Sequence, residues 1–213
     1  MIYPKLTRNH YIHDDTHCSD AGYLEVLNQT LSKIGVELPV YSPVEKENIK
    51  PGDLGRMLEL PPIKRNVIVG FDVDSNIKSF SNFKALPGNS GEMHYKINKN
   101  APIKNRVLLF GDSFFVGCMK LLAHFFEEVI YIRRPYLMES VVNVLLPSIV
   151  LTGNAERYLV NVKNKNEDIP FFVHLMNSGF EYSKMDSESM KAFNSLFLGK
   201  HSKEYKEWFF LLT

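Results

Sequence analysis

The sequence predicts an α/β domain built on a mostly parallel sheet, and three observations carry that prediction. Val107-Leu-Leu-Phe110 is an apolar run too short for a globular helix and suited to a strand buried on both faces. A strand–helix–strand–helix–strand pattern extends over residues 107–152, the arrangement of a parallel sheet joined by crossover helices. The 213 residues, 45% of them hydrophobic, are enough for one α/β domain, or one domain with an appendage, around a real core.

Taken in order, residues 1–20 are polar and irregular, and hold His10, His13, Asp14, Asp15, Thr16, His17, Cys18, Ser19 and Asp20. Ser19 or Asp20 then caps a helix over residues 21–34, whose Leu24, Leu27, Leu31 and Ile34 recur at three- and four-residue spacing. Gly35 ends it, with Pro39 just beyond. Residues 40–66 read as a long excursion broken by Pro43, Pro51, Pro61 and Pro62, with Gly52-Asp-Leu-Gly55 as a turn or short helix. Val67-Ile-Val69 reads as a strand. Residues 72–100, rich in Asn, Ser, Lys and Gly, read as loops or a hairpin. An excursion of this length, about residues 40–100, is where a substrate-binding face is expected.

Gly111 breaks the central run, and from Phe114 the apolar residues continue at helical spacing as Leu121, Leu122, Phe125 and Phe126. Val129-Ile-Tyr-Ile132 is the next strand, stopped by Arg133-Arg134-Pro135. Residues 136–146 form a short helix around Leu137, Val141, Val142 and Leu145, and Ser148-Ile-Val-Leu-Thr152 is a further strand. A charged, Asn-rich break at 163–170 separates this domain, residues 1–164, from a C-terminal helical extension over 165–213. In that extension Ser187–Leu198 is a helix, and the apolar tail Trp208-Phe-Phe-Leu-Leu212 packs on the domain or forms a homo-oligomeric contact.

A net charge of +1 gives no global pull toward nucleic acid or an anionic membrane. Cys18 and Cys118 lack metal-site spacing and read as free thiols. No apolar run is long enough for a transmembrane segment, and the first ten residues lack the apolar core of a secretory signal. A cytoplasmic location is expected, or an exported one if the N-terminus is truncated.

Ser113 stands where the central strand ends and a helix begins, at the sheet edge where open α/β sheets bind ligands. A serine there can act as a nucleophile, and free backbone N–H groups at the helix start can hold an oxyanion. Asp112-Ser113 can equally serve only as a helix cap. Serine chemistry needs a base, and Asp15-Thr16-His17 supplies an imidazole and a carboxylate to orient it, with Asp14 as a rival to Asp15. Gly111, Asp112, Asn154 and Arg157 are the candidate oxyanion-binding and substrate-binding residues. Asn154 is either an amide donor or a turn residue after Gly153, and Arg157 binds substrate or pairs with a carboxylate such as Glu156. His10 and His13 raise the question of a metal, but the irregular spacing and the lack of a distant fourth ligand argue against one. No metal and no cofactor is expected.

Three ordered blocks carry a family resemblance: Asp15-Thr-His-Cys-Ser-Asp-Ala-Gly22, Leu109-Phe-Gly-Asp-Ser-Phe114, and Pro147-Ser-Ile-Val-Leu-Thr-Gly-Asn-Ala-Glu-Arg-Tyr-Leu159, with Gly52-Asp-Leu-Gly55 as a minor fourth. With them the chain resembles the SGNH-type acyltransferases and hydrolases of the alginate O-acetyltransferase kind over roughly residues 10–160. The resemblance implies a three-layer α/β/α, flavodoxin-like fold. It also implies Ser113 as nucleophile, His17 as base, Asp15 as its orienting carboxylate, and O-acyl groups of a sugar or polysaccharide as substrate. The acyl donor is unspecified. Cys18 stands where that family has Trp, and a second reading keeps the scaffold without the chemistry, as a carbohydrate-binding or assembly protein.

Overall fold

The computed structural model describes residues 2–72, 76–161 and 171–197. Among the described residues, seven strands fall into two sheets. β1 (Pro43–Ile49) and β2 (Lys64–Phe71) form an antiparallel ribbon, registered from Pro43 opposite Phe71 to Ile49 opposite Lys64. The central sheet runs β3 (Ile77–Ser81), β4 (Met93–Asn98), β6 (Phe126–Arg133), β5 (Ile103–Gly111), β7 (Ile149–Gly153).

This corrects the expectation of a mostly parallel, flavodoxin-like three-layer fold. Only β5 with β6 and β5 with β7 pair in parallel; β3 with β4 and β4 with β6 are antiparallel, so the sheet is mixed. The physical reason lies in the connections. β5, β6 and β7 are joined through helices, whereas residues 82–92 between β3 and β4, which hold one 3₁₀ turn, and residues 99–102 between β4 and β5 are too short for a helical crossover, so the chain reverses at each. The strand expected at Val67–Val69 exists, but as part of β2 in the separate ribbon.

Both faces of the central sheet are buried, which is why its inner strands are continuously apolar. Val107 and Leu109 of β5 face α1 (Asp20–Lys33) and α3 (Val116–Phe125), in a core with Leu27, Leu31, Leu122, Phe125 and, from β2, Ile68 and Phe71. Leu108 and Phe110 face the opposite way, into a core shared with α4 (Glu139–Leu145), α5 (Phe171–Asn177) and α6 (Ser187–Phe197). A short α2 (Asp53–Met57) lies between the ribbon strands in sequence. Ser19 caps α1 by accepting from the Gly22 amide at 3.1 Å, and Gly35 at φ 74° closes that helix. The free thiols Cys18 and Cys118 are half-buried and buried. No helix among the described residues is long and apolar enough to cross a membrane. The tail 208–212 lies outside the described residues.

Candidate functional site

The end of β5 is built for close approach. A Cβ on Gly111 would sit 2.3 Å from the carbonyl oxygen of Gly153, and one on Gly153 would sit 2.6 Å from the Phe115 ring. The ends of β5 and β7 therefore meet backbone to backbone, with Phe115 packed over them. Asp112 begins the turn: one carboxylate oxygen accepts from the Phe114 amide at 2.9 Å, the other from the Ala155 amide at 2.8 Å. The buried Tyr131 hydroxyl donates to the carbonyl of Asp112 at 2.8 Å and lies 3.2 Å from that of Gly111. Both sides of the corner are thus fixed, and Ser113 opens a single 3₁₀ turn that leads into α3.

Asp15 and His17 sit in a loop closed by the Tyr11–Cys18 bridge and braced by α2. The Gly52 amide donates to the Asp14 carboxylate at 2.6 Å, and the Gly55 amide to the Asp14 carbonyl at 3.0 Å. A Cβ on Gly52 would meet that carbonyl oxygen at 2.0 Å, so the Gly-Asp-Leu-Gly spacing lets α2 press directly on the loop. Asp14, the rival carboxylate, is consumed in this brace. Asp53 completes it by accepting from the Thr16 amide at 2.7 Å and from the Thr16 hydroxyl.

His17 Nδ1 lies 2.7 Å from Asp15 Oδ1, which also accepts the His17 amide at 3.0 Å. A carboxylate only accepts, so Nδ1 carries the proton and Nε2 of the neutral ring keeps its lone pair. Arg65 Nη1, 3.7 Å from Asp15 Oδ2, and the Asp53 amide, 3.3 Å from the same oxygen, hold the carboxylate from behind. The imidazole stacks on Phe114 at 4.5 Å between centroids and 24° between planes. On the same ring rests the Arg157 guanidinium, 4.9 Å from its centroid.

The sequence-derived candidates are thereby linked in one neighbourhood. Asp15 holds His17, His17 touches the neighbour of Ser113, Arg157 touches that same neighbour, and Asp112 ties Gly111 and Ser113 to the 154–155 turn. Asn154 donates its side-chain amide to the Pro135 carbonyl at 2.9 Å, leaving one amide hydrogen unassigned. The Ser113 hydroxyl and the His17 ring share no hydrogen bond. Three contributors escaped the sequence reading. Asp53 reads in the sequence only as part of a turn motif, Phe114 as the start of a helical pattern and the last residue of a motif block, and Arg65 gives no local signal.

Asp15, His17 and Asp53 each offer one ligand atom within 4.8 Å of the others, the one such cluster among the described residues. Those atoms already face hydrogens: Asp15 that of Nδ1, Asp53 those of Thr16 and the Leu54 amide at 2.8 Å. A metal would have to displace them. Partial burial disfavours charge on Asp53, but the Thr16 hydroxyl, the Thr16 amide and the Leu54 amide outweigh it and hold its pKa down at about 2.

No family model matches the chain, and no curated protein matches it. Among solved structures, its fold is similar to that of a DHHW family protein from Eubacterium siraeum DSM 15702, at 10% identity and a TM-score of 0.51, over 69% of this chain and 59% of that one. Bacillus cereus PatB1 matches at 13% identity and a TM-score of 0.48, over 71% of this chain and 64% of that one. PatB1 with a sulfonyl adduct matches at 12% and 0.47, over 78% and 64%. The chain spans less than two thirds of the length of each of these structures. What it shares with the Eubacterium siraeum protein is a related fold.

Proposed function

We propose that the protein is a serine-dependent O-acyltransferase or esterase acting on O-acyl groups of a sugar or polysaccharide. The observation that carries the reading is the 2.7 Å Asp15–His17 bond on an imidazole stacked against the residue next to Ser113. It supports a role for Nε2 as the base toward Ser113, whose neighbour Phe114 the ring touches.

In the first step Ser113 Oγ attacks the acyl carbonyl carbon and its proton passes to His17 Nε2, while Asp15 stabilises the imidazolium. The backbone N–H of Ser113, together with Asn154, supports the oxyanion. Collapse breaks the ester bond, and the leaving alcohol takes the proton from Nε2. In the second step a sugar hydroxyl or water gives its proton to Nε2 and attacks the acyl-enzyme. The Oγ–acyl bond breaks, and the proton returns to Oγ. Arg157, lying on Phe114, is suited to grip the substrate at the rim.

The test is release of p-nitrophenol from p-nitrophenyl acetate. Ser113→Ala and His17→Ala should each lower turnover at least about 100-fold while leaving the fold intact by circular dichroism. The missing Ser113–His17 hydrogen bond favours one rival, a carbohydrate-binding protein without turnover. Wild-type protein that is folded and inactive, or activity indifferent to Ser113→Ala, would decide for that rival.

A further inference from the structure

Between the N-terminal segment and the β1–β2 ribbon lies a cleft of about 390 Å³, within the range of small-ligand sites. Its floor is the Lys64–Ile68 stretch of β2, and its walls include Asn9, Tyr11, His13 and Asn48. It adjoins the Asp15–His17 pair through one residue, because Arg65 lines the cleft and lies 3.7 Å from Asp15 Oδ2.

The charged groups in this cleft are already engaged with one another or with neighbours. Glu45 accepts from Asn66 at 3.1 Å, Lys64 pairs with Glu47 at 3.0 Å, Asp20 with Lys120 at 3.2 Å, and Arg65 donates to the Lys50 carbonyl at 2.9 Å. Phosphates and carboxylates want an unpaired cation, and these side chains do not offer one. The wall side chains of Asn9, Tyr11, His13 and Asn48, in contrast, make no hydrogen bond among the described residues. Amides present a donor and an acceptor side by side, the complement of adjacent hydroxyl groups. Tyr11, 50% exposed, adds an apolar ring face with a polar tip.

We infer that this cleft binds a neutral glycan chain, with Asn9 and Asn48 reading hydroxyls and Tyr11 stacking on a sugar face. The inference rests on the acyl-transfer reading only for its role as the acceptor site; binding itself does not require turnover.

The experiment is a titration of ¹⁵N-labelled Ser113→Ala protein with cellopentaose and with the pentamer of β-1,4-linked N-acetylglucosamine, followed through the Asn side-chain amides. The expected result is saturable shifts at Asn9 and Asn48 with at least one glycan. Binding should be at least tenfold weaker after Tyr11→Ala or Asn48→Ala, each introduced separately so that one misfolded variant does not decide the matter. No saturable shift with either glycan, or saturation unchanged in both variants, overturns the inference. The two readings fail separately: nitrophenyl acetate hydrolysis that survives Ser113→Ala removes the catalytic reading and leaves the cleft standing. Serine-dependent hydrolysis without glycan binding does the reverse.

Discussion

At the scale of single residues, His17 is the best-determined side chain of the site. Its carboxylate, its stacking partner and the brace behind it all come from different segments. The sequence made Asp15 and His17 legible because Asp-x-His puts both groups in one loop. It could not show that Asp14 turns away into the Gly52 amide, since that choice is made by a contact 38 residues distant. Asp53 offers a direct titration test. Its folded pKa, lowered from 3.8 to about 2, means that the charged carboxylate stabilises the fold above 3.8 and that this stabilisation is lost as pH falls toward 2. Urea midpoints of wild type and Asp53→Asn should therefore differ most above pH 3.8 and converge toward pH 2. A gap independent of pH would show that Asp53 does not act through its charge.

At the scale of elements, α3 was readable from its apolar spacing, and β5, β6 and β7 from their continuous apolar runs, because each packs on both sides. β1 was not: Pro-Val-Glu-Lys-Glu-Asn-Ile exposes nearly every residue, so no alternation of apolar and polar marks it as a strand. The meeting of α1 and α3 is a further feature that pattern alone conceals. A Cβ on Gly117 would lie 2.2 Å from the Tyr23 ring, so the two helices approach through the missing side chain. Helix propensity alone favours alanine over glycine by about 1 kcal/mol. Here overpacking should reverse the sign, and Gly117→Ala should destabilise by about 1–3 kcal/mol in urea unfolding. A stabilised variant would mean that Tyr23 swings aside freely.

At the scale of the whole molecule, the prediction of helices and strands in alternation held for residues 107–152, but sheet direction did not follow from it. Whether an edge strand runs parallel or antiparallel depends on the length of its connection, and β3 and β4 carry only scattered apolar residues, Ile77, Phe80, Met93, Tyr95 and Ile97. The loop of Asp15 and His17 also belongs to a different part of the chain from the corner at Ser113. Arg106 and Glu128, 22 residues apart, pair at 2.5 Å along β5 and β6, whereas Thr16 reaches Asp53 across 37 residues and Asp20 reaches Lys120 across 100. Closing longer loops costs more chain entropy before any contact repays it, so the order of assembly during refolding follows these separations. Pulsed hydrogen exchange should find the amides of Leu108 and Ile130 protected before those of Gly52 and Gly55, which depend on Asp14. Simultaneous protection would refute that order. The stacking of His17 on Phe114 joins segments farther apart still, so on the proposed acyl-transfer reading a refolding chain passes through a compact stage without activity until the N-terminal loop docks.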